Sequence, residues 1–364
     1  MRVEEVGTMK VVLSGYYGFD NTGDEAILKS MIQHLKAIEP GIQIIVLSQS
    51  PSKTESDYGV SAVNRWDYKA IIRTLKESDG LISGGGSLLQ DATGPRSVLY
   101  YTGIMHMAKW LRKPVFIYAQ GMGPIRKPFH RLLVRIALNG VTGISVRDMK
   151  SKEFLERIGV RKSIHLFPDP VFGYDYKDME EDRNSQKPLI AVSIREWGGS
   201  DKLVEKLTEA FTGCIEKGYR LRFIPMHGES DEAFSNKVAQ RLNQDVEVVS
   251  GHMSIDEKLH LLSEADVLIG MRLHSLIFAG VCSVPFVALS YDPKIDALAD
   301  QLDFPVTVDV NDPAWESSAI TKEVGRLYED LPAHKEKLEH TVSTLSTRAK
   351  ETARAALHHI QQKK

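Results

Sequence analysis

The chain of 364 residues is 42% hydrophobic and 26% charged, which fits a folded globular protein of about two domains and excludes collagen-like, disordered and disulfide-scaffold classes. Its 46 Lys and Arg residues against 48 Asp and Glu residues give a formal net charge of -2, so we expect no surface built to bind nucleic acid. The two cysteines, Cys214 and Cys282, are far apart and favour a reducing, cytoplasmic environment.

We expect neither a signal peptide nor a membrane-spanning helix. Residues 1–10 mix basic and acidic side chains and lack an apolar core, so we treat residues 1–8 as a tail. The longest apolar stretch, residues 276–289, contains Pro285 and is shorter than the roughly 20 residues that a spanning helix needs.

Short runs rich in Val and Ile alternate with segments of helical period along the chain. The predicted strands lie at residues 10–13, 42–47, 80–83, 115–120, 143–146 and 164–167, and then at 189–194, 220–225, 246–249, 267–269 and 286–289. The predicted helices include 24–38, 68–76, 202–217, 232–242, 255–263 and 274–281. This order predicts βαβ units and parallel sheets covered by helices.

A polar, acidic stretch at residues 174–187 separates the two series of strands. The sequence therefore predicts an α/β protein with two Rossmann-like domains facing across a cleft. We place the first domain at 1–175, a linker at 176–187 and the second domain at 188–331, with a helix at 332–364 that crosses back to the first domain. Parallel sheets bind ligands in the loops beyond the carboxyl ends of their strands, so those loops are the candidate sites.

The loop after the first strand, residues 14–25, carries Gly18 and Gly23 ahead of a helix start. Asp24 occupies the position of a P-loop lysine, so the loop is not a P-loop. The neighbouring carboxylates Asp24 and Glu25 are suited to holding or deprotonating hydroxyl groups. The structural alternative is that Asn21 and Asp24 only cap the helix.

Two further glycine-bearing loops follow predicted strands of the first half, at residues 83–87 and 120–124. The amides of Gly84, Gly85 and Gly86 could hold an anion or a sugar, whereas a turn without a ligand is the alternative. Arg147 ends a later strand, where a salt bridge would also account for it.

In the second half, Arg272 and His274 stand where a buried strand turns into a helix. This position combines helix amides, a forked guanidinium and an imidazole, and it suits a phosphate or carboxylate. Arg195 follows another strand and could contact the same anion. Lys294 and His227 are weaker candidates of the same kind, with a solvated surface position as the alternative.

The section between Asp91 and Asp148 is basic: it contains nine Lys and Arg residues and no Asp or Glu. We expect the section from Arg96 to Arg147 either to contact an anionic membrane or a pyrophosphate-bearing substrate, or to be a solvated face balanced by acidic residues elsewhere.

Together the motifs at residues 18–28, 84–86, 120–124 and 270–275 resemble the polysaccharide pyruvyl transferase family, and the resemblance covers most of the chain. It implies a fold like that of two-lobed GT-B glycosyltransferases and transfer of pyruvate from phosphoenolpyruvate to two sugar hydroxyls as a cyclic ketal. The implied acceptor is a lipid-linked sugar containing N-acetylmannosamine, made at the cytoplasmic membrane face. The ketal carboxylate would later help to bind surface-layer proteins.

The resemblance also assigns roles to residues of this chain. The donor-binding residues it implies are Arg195, Arg272, Leu273, His274 and Lys294. The acceptor-binding residues it implies are Gly18, Asn21, Gly23, Asp24, Gly85, Gly86 and Arg147. His274, Asp24 and Glu25 are the catalytic candidates, with His274 as the proton donor and a carboxylate as the base. No metal or cofactor is expected, because protonation activates the donor. The alternatives are a GT-B glycosyltransferase that uses a nucleotide sugar and a non-catalytic sugar-lipid binding protein.

Overall fold

The computed structural model describes residues 8–91, 94, 96–176, 188–242 and 246–362. The chain forms two compact units: unit 1 comprises residues 1–19, 24–175 and 345–364, and unit 2 comprises residues 20–23 and 176–344. Apart from Thr8 and Tyr176, the predicted tail and the predicted linker at 176–187 lie outside the described residues.

Unit 1 is built on a parallel sheet that has eight strands in its described residues. The strands are β1 (Lys10–Tyr17), β2 (Gln43–Ser48), β3 (Ser61–Asn64), β4 (Gly80–Ser83), β5 (Gly86–Leu89), β6 (Val115–Met122), β7 (Gly143–Val146) and β8 (Ile164–Leu166). Their order is β3-β2-β1-β4-β6-β7-β8, with β5 paired to β6. The order reverses between β1 and β4, which is the switch point where Rossmann-like sheets bind ligands.

Helices cover this sheet because its central strands are buried on both faces. They are α1 (Thr22–Ile38), α2 (Pro51–Tyr58), α3 (Tyr68–Glu77), α4 (Arg96–Trp110), α5 (Pro128–Asn139) and α6 (Met149–Arg157), followed by a 3₁₀ turn at Pro170–Gly173. The acidic first turn of α1 and its basic last turn both suit the helix dipole.

Unit 2 repeats the plan with a parallel sheet of six strands in its described residues. The strands are β9 (Leu189–Ser193), β10 (Arg220–Phe223), β11 (Glu247–Val248), β12 (Val267–Gly270), β13 (Phe286–Ser290) and β14 (Val306–Asp309), in the order β11-β10-β9-β12-β13-β14. The switch point lies between β9 and β12.

The helices of unit 2 are α7 (Ser200–Glu216), α8 (Gly228–Ala239), α9 (Ile255–Ser263), α10 (Leu273–Val281), α11 (Pro293–Leu302) and α12 (Ser317–Glu329). The last helix, α13 (Leu331–Gln361), is continuous, and its residues from 345 onward belong to unit 1. There the His359 ring stacks on Phe116 with the ring centres 5.5 Å apart. Among the described residues, no helix is both long and apolar enough to cross a bilayer.

The structure differs from the predicted loops of unit 1 in two places. Strand β6 continues to Met122, so most of the predicted loop at 120–124 is strand, and Gln120 is fully buried with its amide donating to Ser83. Gly86, predicted to lie in a loop, starts β5 instead. Both differences arise because β5 pairs with the carboxyl-terminal part of β6. Such a pairing between distant segments cannot be predicted from short-range sequence patterns.

Unit 1 contains a buried histidine that couples its stability to pH. His34 is 4% exposed, and its Nε2 donates to the Gly173 carbonyl oxygen at 2.7 Å. Burial lowers the pKa of His34 from 6.5 to about 4. His34 is therefore protonated near pH 6.5 in the unfolded chain, but in the folded protein only near pH 4. The free energy of unfolding should decrease as the pH falls through this window.

We expect wild type to lose about 3 kcal/mol more unfolding free energy than His34→Gln between pH 6.5 and pH 4, since each unit of pKa shift is worth about 1.4 kcal/mol. Urea titrations at both pH values measure the difference. The control is His340→Gln at an exposed position of α13. Equal losses in wild type and His34→Gln would contradict the prediction.

Candidate functional site

In unit 2, the predicted donor-binding residues gather at the carboxyl edge of the sheet, around its switch point. Arg195 follows β9, Arg272 follows β12, and Lys294 lies in the first turn of α11, after β13. These three strands are neighbours, so their ends lie side by side. The structure thus brings together side chains that are almost one hundred positions apart in sequence.

Arg272 is held by a buried carboxylate that the sequence analysis missed. Its Nε donates to Asp231 Oδ2 at 2.9 Å and its Nη2 to Asp231 Oδ1, which makes a two-pronged ion pair. Asp231 is 1% exposed and also accepts a hydrogen bond from the Met226 amide. Because Asp231 engages Nε and Nη2, the guanidinium is fixed in orientation, and its Nη1 edge is the part left to contact a ligand.

Arg195 and Lys294 share one aromatic side chain. The Tyr291 ring lies 5.0 Å from the Arg195 guanidinium carbon and 5.5 Å from Lys294 Nζ, and its hydroxyl accepts from Arg195 Nη1 at 3.2 Å. Trp197 packs beside the Tyr291 ring at 4.6 Å. Asp292 lies 3.6 Å from Lys294 Nζ. Two cations are therefore positioned over one aromatic platform.

His274 occupies the first turn of α10, where Arg272 is the N-cap and buried Leu273 is the first helical residue. Its ring packs against Gly23, since a Cβ atom on Gly23 would lie 2.0 Å from His274 Nδ1. Glycine is thus required at position 23 for the imidazole to sit there. Leu273 contributes apolar packing to the helix start and no polar group to the site.

Residues 20–23 belong to unit 2 because of specific bonds to it. The Thr22 amide donates to the Met226 carbonyl at 3.0 Å, and Asn21 forms an isolated β-bridge with His227. Asn21 Oδ1 also accepts from the Gly23 amide at 3.1 Å, so its side chain caps this turn. The predicted acceptor residues Asn21 and Gly23 thus lie with the predicted donor residues.

A buried lysine, also missed by the sequence analysis, anchors this segment. Lys258 is 1% exposed, and its Nζ donates to Thr22 Oγ1 and to the Gly251 carbonyl, both at 2.8 Å. Burial lowers the pKa of Lys258 to about 8, against the opposing effect of acidic neighbours that include Asp231. The mostly protonated ammonium adds positive charge beneath the site at neutral pH.

His227 lies in the same cationic environment. Burial lowers its pKa, and the charges of Arg272 and Arg195 lower it further against the opposing effect of Asp231 and Asp20. His227 is therefore neutral at pH 7, and its pKa responds to both guanidinium groups. The set of Arg195, Arg272, Lys294 and the amino end of α10 suits a small dianion better than a neutral ligand.

In unit 1, Asp24 and Glu25 occupy the first turn of α1 but differ in their surroundings. A Cβ atom on Gly86 would lie 2.8 Å from Asp24 Oδ1, so the carboxylate lies over that glycine. Glu25 accepts from the Gly18 amide at 2.7 Å and from the Tyr58 hydroxyl at 2.8 Å, using one oxygen for each. Both oxygens of Glu25 thus have protein partners that hold the loop, and its catalytic role stays a prediction.

The predicted acceptor glycines are close-packed against protein atoms. Gly18 has a φ of +80° and its Cβ position would be 2.4 Å from Ser48 Oγ, so no other residue fits there. A Cβ atom on Gly85 would lie 2.9 Å from Ile27 Cγ2, and Gly86 has a φ of +84°. These glycines allow the loop to approach α1, and any sugar contact they make is through backbone amides.

Arg147 is buried, and its guanidinium nitrogens already have protein partners. Its Nη1 donates to Asp169 Oδ2 at 3.0 Å and its Nη2 to Ser87 Oγ at 3.1 Å, while Asp148 Oδ2 lies 3.7 Å from its Nε. These partners hold the guanidinium at the end of β7, and the predicted contact of Arg147 with the acceptor stays a prediction.

Comparison with known proteins identifies the family to which the chain belongs. The model of the family described as polysaccharide pyruvyl transferase matches residues 21–293. The chain is 22% identical to the amylovoran biosynthesis protein AmsJ of Erwinia amylovora, over 89% of this chain and 94% of that protein. The matched range includes every predicted site residue except Gly18 and Lys294.

A protein crystallised with UDP-glucose and a putative UDP-sugar epimerase share this fold. Alr3699/HepE of Anabaena, crystallised with UDP-glucose, superposes with a TM-score of 0.66 at 13% identity over 96% of this chain and 99% of that one. A putative UDP-N-acetylglucosamine 2-epimerase of Listeria monocytogenes superposes with a TM-score of 0.68 at 12% identity, covering 97% and 96% of the chains. At such identities these likenesses show the GT-B-like fold alone.

Proposed function

Since the chain belongs to the polysaccharide pyruvyl transferase family, we propose that it transfers pyruvate from phosphoenolpyruvate to two hydroxyl groups of one sugar, as a cyclic ketal, and releases phosphate. The observation that carries this proposal is the cationic cluster of unit 2, defined as Arg195, Arg272 and Lys294 with His274 beside them.

Phosphoenolpyruvate matches this cluster in charge and size. It carries a phosphate and a carboxylate on one small molecule, so it needs two groups of donors at one point. The Nη1 edge of Arg272 and the amino end of α10 would hold one anionic group, and Arg195 with Lys294 the other. A nucleotide sugar needs space for a base and a ribose in addition, and no feature of the cluster specifically favours these.

The chemistry consists of two additions at one carbon. Protonation of the donor methylene makes a methyl group and an electrophilic C2, to which the first sugar oxygen bonds as its hydroxyl proton leaves to a base. The second sugar oxygen then bonds to C2 while the C2–O bond to phosphate breaks, and its hydroxyl proton passes to the departing phosphate. We propose His274 as the proton donor to the methylene carbon and Asp24 as the base that accepts the proton of the first sugar hydroxyl. Asp24 directly follows Gly23, against which the His274 ring packs.

For the acceptor we propose N-acetylmannosamine in a lipid-linked precursor of a cell-wall polysaccharide, as for the CsaB pyruvyltransferases that the sequence motifs resemble. The relationship to AmsJ, an amylovoran biosynthesis protein, supports a role in polysaccharide synthesis more generally. A lipid-linked acceptor would require the enzyme to work at a membrane surface in the cytoplasm.

The test of the function is to incubate the purified protein with phosphoenolpyruvate and a synthetic lipid disaccharide that contains N-acetylmannosamine. We expect phosphate release matched by a product that gains one pyruvate less one water. Calorimetry with phosphoenolpyruvate and with UDP-sugars separates the alternatives. Binding of a UDP-sugar without binding of phosphoenolpyruvate would favour a GT-B glycosyltransferase, and acceptor binding without phosphate release would favour a non-catalytic binding protein.

For the membrane contact we propose the exposed face of α5, called the α5 face, which carries Phe129, Leu132 and Ile136 together with Lys127 at the helix start and Arg135. Phe129 is 61% exposed, and the three apolar side chains recur at helical spacing on the side away from the core. Apolar side chains next to cations suit a surface of anionic lipid.

Substituting Lys127→Gln and Arg135→Gln together should weaken binding to phosphatidylglycerol vesicles about thirtyfold, because each cation near such a surface contributes about 1 kcal/mol. Vesicle sedimentation at fixed salt measures the change. The matched control is Lys69→Gln with Arg73→Gln on α3. Unchanged binding in the α5 variant, or equal binding to phosphatidylcholine, would contradict the α5 face as the contact.

A further inference from the structure

Unit 1 contains a cluster of aromatic side chains built around one buried arginine, which the sequence analysis did not single out. Arg65 directly follows β3, and its guanidinium carbon lies 4.3 Å from the ring centre of Tyr100, 5.0 Å from Phe19 and 5.4 Å from Trp66. Tyr101 completes the set at 5.6 Å. We call Arg65 with these four rings the Arg65 cluster.

Arg65 has no carboxylate as an ion-pair partner among the residues that the structure describes. Arg65 is 4% exposed, its Nη1 donates to the Gly15 carbonyl at 3.0 Å, and its Nη2 lies 3.4 Å from the Tyr101 hydroxyl. Both acceptors are neutral, and Nε has no hydrogen-bond acceptor within the described part of the chain. A buried guanidinium is usually paired with a carboxylate, so this arrangement is unusual for a purely structural arginine.

Part of the cluster is exposed and held in place. Trp66 is 50% exposed, yet its Nε1 donates to Gln49 at 2.8 Å and its ring packs 5.2 Å from that of Tyr100. Tyr68 is also 50% exposed and is the first residue of α3, two positions after Trp66. Two large ring surfaces are therefore open to solvent, and one of them is fixed by a hydrogen bond.

The cluster lies at the same sheet edge as Asp24. Its members come from the ends of β1 and β3 and from the first turns of α4, and Arg65 is bonded to β1 through Gly15. The charge of Asp24 contributes to raising the pKa values of Tyr16 and Tyr101, although burial is the larger cause for both. The carboxylate that we propose as base is thus within electrostatic reach of the cluster.

We propose that Trp66 and Tyr68 form a stacking subsite for a sugar ring of the acceptor saccharide, and this inference rests on the proposed function. A pyranose ring presents polarised C–H groups on one face, which pack on the electron-rich face of an aromatic ring. The positive charge of Arg65 beneath the Trp66 ring favours the electron-rich sugar oxygens beside that face. The subsite would bind one sugar unit while a neighbouring unit places its hydroxyls at Asp24.

The test is steady-state kinetics of Trp66→Ala, Tyr68→Ala and Trp66→Phe with phosphoenolpyruvate and the methyl glycoside of an N-acetylmannosamine-containing disaccharide. We expect Trp66→Ala to raise the acceptor KM about tenfold and to leave the KM for phosphoenolpyruvate within twofold. Trp66→Phe should restore most of the affinity, because it keeps a ring. The matched control is Trp110→Ala, which removes another exposed tryptophan from unit 1.

An acceptor KM within twofold of wild type in both alanine variants would overturn the inference and leave the proposed function intact. If wild type gives no turnover, the proposed function fails for this acceptor, and saturation-transfer NMR on the same disaccharide decides the subsite separately. Saturation transfer from wild type to the disaccharide that is lost in Trp66→Ala supports the subsite. Saturation transfer that persists in Trp66→Ala, or that is absent with wild type, overturns it.

Discussion

Arg272→Lys is expected to raise the dissociation constant for phosphoenolpyruvate by about thirtyfold while unit 2 stays folded. Asp231 takes two nitrogens of the guanidinium, so the Nη1 edge is what remains for the donor. An ammonium can still pair with Asp231 but presents no second fixed edge, and a hydrogen bond between charged groups contributes about 1.5–3 kcal/mol. Calorimetric titration with phosphoenolpyruvate measures the loss directly.

Lysine is the informative substitution because alanine has two effects. Arg272→Ala should abolish donor binding, but it also leaves Asp231 buried without its partner, at a cost of about 3–5 kcal/mol in stability. The matched control is Arg222→Lys, which alters another arginine of unit 2 that is ion-paired to two carboxylates, Glu247 and Glu264. Full donor affinity in Arg272→Lys would remove Arg272 from the donor site.

His274→Gln is expected to lower kcat by about 10²–10⁴, the usual range for loss of a general acid, and to leave the KM for phosphoenolpyruvate within threefold. Glutamine can make hydrogen bonds but cannot transfer a proton near neutral pH, so substrate binding and turnover separate. Phosphate release under saturating substrates measures kcat.

The control for this prediction is His252→Gln, since His252 is an exposed histidine of unit 2. An unchanged kcat in His274→Gln would exclude His274 as the proton donor. A rise in the donor KM with unchanged kcat would instead assign His274 to donor binding, and the proton donor would then have to be sought among other groups near the cationic cluster, His227 first.

The fold was largely predictable because parallel sheets are encoded in local patterns. Strands β4 and β7 and helix α9 have the predicted bounds, since each is a short apolar run or a strongly capped amphipathic segment. The edge strands β3 and β14 were missed because they are half-exposed and lack a continuous apolar run. Strand β5 was missed because it starts at the last residue of the glycine triplet.

The positions of some candidate residues were predictable, where the residue follows a strand. Arg195 and Arg272 lie at the strand ends where they were predicted. Lys258 was missed because it lies inside a predicted helix, where charged residues usually face solvent, and Asp231 because it precedes the predicted helix at 232–242 although α8 starts at Gly228. Yet both stand on the apolar stripe of their helix, Asp231 with Phe234 and Val238 on α8, and Lys258 with Ile255 and Leu262 on α9. A charge on such a stripe was the available signal.

The different surroundings of Asp24, Glu25 and Arg147 could not be predicted from the sequence. All three are charged residues near strand ends, and only their partners distinguish them. Glu25 and Arg147 are engaged by neighbouring protein groups, and these bonds depend on residues tens of positions away. Long-range hydrogen bonding of this kind leaves no periodicity or spacing in the chain.

Glycines beside His274, Asp24 and Arg147 leave room for the tips of these three side chains. The missing Cβ of Gly23 makes space for the His274 ring, that of Gly86 for the Asp24 carboxylate, and that of Gly121 for the Arg147 guanidinium. A relative with alanine at the first of these positions could keep its histidine and still be unable to seat it. A homologue can thus lose function through substitution of a glycine while it retains every titratable residue of the site.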